Sequence, residues 1–161
     1  MKNNSSKKAF IFYFLMSLIL LDFGNNLRKL SYNTFFDNYS NPIFSIIHTT
    51  NTGSAFGLFA NNSIPLAIFG FFALVLLTCY VYKNLTFEDK IELLAITLFS
   101  AGALGNLIER IRFGYVIDYI NLNFIHFPIF NAFDVMICSG VFLYSISVFL
   151  DSRKKDGNKD E

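Results

Sequence analysis

The chain has 161 residues, 53% of them hydrophobic and 16% charged, with a mean hydropathy of +0.45. That balance is too apolar and too poor in charge for an ordinary soluble domain and points to a polytopic membrane protein. A net charge of +1, with its cations in short clusters beside apolar runs, supplies no basic field and sets nucleic acid aside as a partner.

Crossing about 30 Å of hydrocarbon takes roughly 20 apolar residues in a helix. Four stretches approach that length: Ala9 to about Leu30, Ile64 to Tyr82, Ile91 to Ile108 and Ala132 to Leu150. Residues 1–150 read as one integral membrane domain, and residues 151–161 as a charged, disordered cytoplasmic tail. With 21 phenylalanines, 8 tyrosines and no tryptophan, lipid-facing surface is well supplied and tyrosine carries the interfacial belts. The expected fold is an all-α membrane protein with four transmembrane helices and a small extracytoplasmic β-rich region.

In chain order, Lys7 and Lys8 precede the run Ala9 to Leu21, which resembles a signal peptide but lacks a small-x-small cleavage site. It reads as a retained anchor. Its 13 residues cover only about 20 Å at 1.5 Å each, so the helix must continue past Asp22, holding that carboxylate at membrane depth. Ile43 to Thr49 is rich in β-branched and aromatic residues, and Tyr115 to Phe130 partly alternates; both predict short strands at the outer surface. Pro65, after Asn62 and Ser63, marks the start of the second span. In the third, Ala101, Gly102 and Gly105 form a small-residue face that admits another helix closely.

Orientation follows from the cations. Lys2, Lys7, Lys8, Lys83, Lys90, Arg153, Lys154, Lys155 and Lys159 fall on one side of a four-span arrangement, and Arg28, Lys29, Arg110 and Arg112 on the other. Both termini are therefore expected to be cytoplasmic. Cys79 then lies near the inner end of the second span and Cys138 near the outer end of the fourth, too far apart to pair, and both read as buried free thiols away from the site. The polar residues are lopsided: Asp22, Asn51, Asn106, Asp118, Asn131 and Asp134 all fall at the outer face. An intramembrane carboxylate is costly and usually functional, although an acid in a first helical turn such as Asp134 also suits the helix dipole.

Three stretches together resemble lipoprotein signal peptidase (signal peptidase II). They are Asn51-Thr52-Gly53-Ser54-Ala55-Phe56-Gly57; Gly102 to Arg110 continuing through Gly114-Tyr115-Val116-Ile117-Asp118-Tyr119; and Phe130-Asn131-Ala132-Phe133-Asp134. The resemblance implies a bacterial inner-membrane aspartic protease with its active site at the outer face. Asp118 and Asp134 would be the catalytic pair, and Asp22, Asn51, Gly53, Asn106, Glu109, Arg110 and Asn131 would bind substrate. It also implies diacylglyceryl-modified prolipoproteins as substrates, cut before the lipidated cysteine, membrane lipid as the surroundings, and globomycin-type cyclic peptides as inhibitors. Three departures stand out: Phe23 and Asn26 where the family has Gln and Lys, Glu109 where it usually has Asp, and Ser54 where alanine is common.

Two carboxylates sharing a proton suit peptide hydrolysis, one activating water and the other polarising the carbonyl and protonating the leaving amine. No cofactor or metal is expected: there is no His-Glu-x-x-His run or Cys/His cluster, and His48 and His126 read as interfacial side chains. Activity is accordingly expected to withstand chelators and serine- and thiol-directed reagents. Glu109→Gln is expected to weaken binding rather than chemistry. Two alternatives remain. One is a small proton-coupled transporter or channel subunit relaying through Asp22 and Asp134, and the other a relative that binds lipoprotein precursors without cutting them.

Overall fold

In a computed structural model of the chain, residues 2–33, 39–53, 62–86 and 90–157 are described. They form α1 (Lys2–Ser31), β1 (Phe44–Asn51), α2 (Ile64–Asn84), α3 (Lys90–Phe113), β2 (Val116–Leu122) and α4 (Ala132–Gly157). All four helices are long and apolar enough to cross a membrane.

Each helix outlasts its apolar run, because the run measures hydrocarbon thickness while backbone hydrogen bonding continues into the charged flanks. α3 ends at Phe113, a turn past Ile108, and α4 continues through the charged residues to Gly157. Residues 151–157 are thus helical rather than disordered, and the remainder of the expected tail lies outside the described residues. Ser63 is the N-cap of α2 and Pro65 sits in its first turn, where a missing N–H leaves no bond unmade.

α3 is the central helix and packs against the other three. Of its most apolar stretch 56% is buried, against 6% for α2 and 17% for α1 and α4, whose outward faces are left for lipid. At one end of the bundle Ala9 and Tyr13 of α1 pack with Val81, Leu85 and Leu93, bringing together the start of α1, the end of α2 and the start of α3. At the other, Ala101 packs with Phe133 and Met136 of α4. The small-residue face of α3 is what allows this: a Cβ on Gly105 would collide with the Phe133 ring, and one on Gly102 with the Phe133 carbonyl. Gly140 does the same in return, since its Cβ would lie 2.6 Å from the carbonyl oxygen of Ala95.

The expected strands form, with revised bounds. β1 and β2 pair antiparallel, from Phe44 opposite Leu122 to Ile46 opposite Ile120, then, across a register shift, from Thr49 opposite Asp118 to Asn51 opposite Val116. Asn51, two residues past the expected strand end at Thr49, closes β1. Gly114, at φ +79°, turns the chain from α3 into β2 with a backbone conformation that costs glycine little.

Candidate active site

Asp118 lies in the middle of β2 and is almost fully buried, at 2% exposure. The bulge at Ile47 and His48 sets Thr49 opposite it, which puts Asn51, two residues on, on the same face of the sheet. Asn51 Nδ2 donates to Asp118 Oδ2 at 2.9 Å, and Asn131 Nδ2 donates to Oδ1 at 2.8 Å. Burial pushes the Asp118 carboxyl up to about 6; the charge of Asp134 adds to this, and the two amide donors and Arg110 oppose it.

Asp134 is positioned by the start of α4. Asn131 caps that helix, its Oδ1 accepting the backbone N–H groups of Phe133 at 2.7 Å and Asp134 at 3.1 Å. Asp134 Oδ2 accepts the Asn131 backbone N–H at 3.0 Å in return, closing a capping box. Its Oδ1 accepts Asn106 Nδ2 from α3 at 2.8 Å, and Asn131 Nδ2 also donates to Asn106 Oδ1 at 3.2 Å. Three asparagines from three segments therefore hold both carboxylates, every carboxylate oxygen taking one N–H.

Arg110, one turn beyond Asn106, donates through Nη2 to the Gly53 carbonyl at 3.0 Å, and the Gly53 N–H donates to Asn51 Oδ1 at 3.0 Å. Both aspartates, Asn51, Gly53 and Arg110 line one cavity of about 830 Å³. Most of the rest of its lining is apolar, contributed by the 127–130 segment and by Val135 and Ile137 of α4. A few polar groups in an otherwise apolar cleft suit an extended, largely apolar ligand held by its backbone. Among the described residues there is no group of three or more His, Cys, Asp or Glu side chains placed to hold a metal ion.

The structure thus gathers Asn51, Gly53, Asn106, Arg110, Asp118, Asn131 and Asp134 into one network. Two residues expected to bind substrate stand apart. Asp22 is exposed, accepts a hydrogen bond from Asn26 at 2.9 Å one helical turn along, and is not on the cavity wall. Glu109 is buried behind the site, bonded to Arg28 and to the backbone of Ile117, and faces away from the cavity because α3 turns its neighbour Arg110 inward. His48 stacks on Tyr32 with ring centroids 3.9 Å apart and bonds to Ser31 Oγ at 3.0 Å, while His126 is exposed.

The cysteines also differ from expectation. Both are exposed rather than buried, and Cys138 lines the cavity. It follows Asp134 by one helical turn, so i, i+4 spacing carries the signal that a count of distance along the span did not. Thr49 and the 127–130 wall have no comparable signature in the sequence.

The family model described as "Signal peptidase (SPase) II" matches residues 11–150. A lipoprotein signal peptidase of Clostridium tetani is 37% identical over 120 residues, covering 73% of this chain and 74% of that protein. One from Pseudoalteromonas translucida is 31% identical over 165 residues, covering 94% and 96%. A solved structure described as a bacterial membrane enzyme superposes with a TM-score of 0.79 at 28% identity, covering 89% of this chain and 90% of its own. The matched region runs from the first helix to the last and takes in every member of the carboxylate and asparagine network, and on that ground the chain belongs to the signal peptidase II family.

Proposed function

We propose that this signal peptidase II family member is an aspartic endopeptidase in which Asp118 and Asp134 share the proton used in hydrolysis. The observation that carries the reading is that two carboxylates from different elements face one cavity and are joined through a single residue, Asn131, whose side-chain amide donates to Asp118 and whose backbone N–H donates to Asp134. As a family member the chain is a multi-pass protein of the bacterial inner membrane that removes signal peptides from prolipoproteins.

A dyad of this kind titrates as a unit, and burial raises the Asp118 carboxyl towards 6, which favours a proton at that position. Asp134 draws the proton from water as it attacks the scissile carbonyl. Asp118 hydrogen-bonds the carbonyl oxygen and then protonates the leaving amine. The asparagines keep both carboxylates oriented without adding charge, and Arg110 offers positive potential beside the developing oxyanion. The largely apolar lining of the cavity suits a substrate delivered from within the bilayer, with its acyl chains left in lipid. The cation distribution supports cytoplasmic termini and a site at the outer face.

The test is cleavage of a diacylglyceryl-modified lipobox peptide by the purified chain in lipid nanodiscs. Wild-type protein cuts before the lipidated cysteine, globomycin blocks it, and Asp118→Asn and Asp134→Asn each lower turnover by about 10³-fold or more while remaining folded. Near-normal turnover in either variant would remove that residue from the dyad.

A further inference from the structure

Glu109 stands outside the cavity yet is nearly fully buried, with 3% of its surface exposed. Both of its carboxylate oxygens are occupied: Oε1 accepts Arg28 Nη1 at 3.1 Å, and Oε2 accepts the Ile117 backbone N–H at 2.8 Å. A buried carboxylate is tolerated only when paired and hydrogen-bonded, and here one partner is a cation at the end of α1 while the other is the residue next to Asp118.

The position of that second bond matters. Along a strand, the N–H groups of residues i and i+2 point to the same edge. On β2 those flanking Asp118 are Ile117, taken by Glu109, and Tyr119, which donates to the Phe130 carbonyl at 3.1 Å. Groups from outside the two-stranded sheet therefore pin the strand on both sides of the aspartate. A sheet of two strands holds its own geometry poorly, so such pins decide where its side chains sit. Phe130 ties β2 to the capped start of α4; Glu109 ties it to α3 and, through Arg28, to α1.

We propose that Glu109, balanced by Arg28, is a positioning residue for Asp118, a clasp that fixes where β2 presents the carboxylate to the cavity. The proposal rests on the dyad reading above. It requires a carboxylate, because two donors converge on two acceptor oxygens. A glutamine has one such oxygen and must turn its NH₂ against either the guanidinium or the Ile117 N–H. Removing Arg28 alone leaves the carboxylate buried and unpaired, which is worse than removing both charges.

The experiment compares full-length wild type, Glu109→Gln, Arg28→Met and the double variant in nanodiscs, using the diacylated peptide. In place of the binding role expected from the sequence, Glu109→Gln lowers kcat about tenfold or more, with KM within about twofold of wild type, since displacement of a catalytic group by an ångström is that damaging. The double variant frees the amide oxygen for Ile117 and returns kcat to within about threefold of wild type, a rescue that additive loss of stability cannot give. Wild-type kcat in Glu109→Gln, a change confined to KM, or a double variant no better than Glu109→Gln would each overturn the proposal. Amide hydrogen exchange over residues 115–120 gives a readout independent of turnover. Protection falls in Glu109→Gln and recovers in the double variant, and unchanged protection refutes the clasp. Wild-type protein that fails to cut the peptide would refute the dyad reading, and exchange would still decide the clasp. Should Glu109→Gln not fold, the fold and turnover of the double variant decide, and its failure to fold would also overturn the pairing.

Discussion

Asn131 and Asp134 are bonded in both directions: the Asn131 N–H donates to Asp134 Oδ2 at 3.0 Å, and Asn131 Oδ1 accepts the Asp134 N–H at 3.1 Å. The same asparagine donates to Asp118, so one residue caps a helix, aims one carboxylate and tethers the other. Asn131→Ala should cost about 1 kcal/mol of stability as a lost cap and lower kcat by about 10²-fold, far more than the stability change explains. Thermal unfolding and steady-state kinetics on one preparation separate the two. Loss of stability with kcat unchanged would reduce Asn131 to a cap.

The raised Asp118 carboxyl gives stability a pH dependence of definite sign. Between its ordinary value of 3.8 and about 6 the folded chain binds more protons at this position than the unfolded chain does. The contribution to stability is therefore fully present below that window and is lost as pH rises through it. The thermal midpoint of the wild-type protein should fall across this range by more than that of Asp118→Asn. The alkaline limb of the kcat/KM profile should begin near 6, where free Asp118 gives up its proton. A midpoint that declines identically in the two proteins would place the titration elsewhere.

Cys138 lines the cavity one turn from Asp134, and this reverses the expectation that thiol reagents leave activity untouched. A bulky maleimide should inactivate the enzyme by about tenfold or more by filling the cleft, and globomycin should slow the labelling. Cys138→Ala should retain turnover and resist the reagent, whereas Cys79→Ala should remain sensitive. Inactivation of Cys138→Ala at the wild-type rate would exclude the cavity thiol as the target. Chelator is expected to leave turnover unchanged, as measured with EDTA in the same assay.

The α3–α4 crossing has no room for a side chain at Gly105, where a Cβ would meet the Phe133 ring. Gly105→Val should cost about 1–3 kcal/mol from overpacking and, because Phe133 sits beside Asp134, lower turnover as well. Gly70, with nothing within 4 Å of an added Cβ, is the control: Gly70→Ala should be neutral or stabilising by about 0.5–1 kcal/mol. Equal effects at the two positions in thermal unfolding would show that helix propensity rather than packing governs.

Four spans, two strands between them and the collection of Asn51, Asn106, Asp118, Asn131 and Asp134 in one region were legible in the sequence alone. Partition into a bilayer depends on local runs of apolar residues, and strand preference depends on local alternation, so neither needs a distant contact to be read. Which groups touch is another matter. With Ile46 opposite Ile120, an unbroken antiparallel register would set His48 against Asp118; the bulge sets Thr49 there and brings Asn51 onto the face of the aspartate. The same holds for helix rotation. Glu109 and Arg110 are adjacent in sequence but about 100° apart around α3, so one reaches the Gly53 carbonyl at the cavity and the other Arg28 and Ile117 behind it. Register and rotation are fixed by packing between residues far apart in the chain, such as Phe133 against Gly105, and only the tertiary structure decides them.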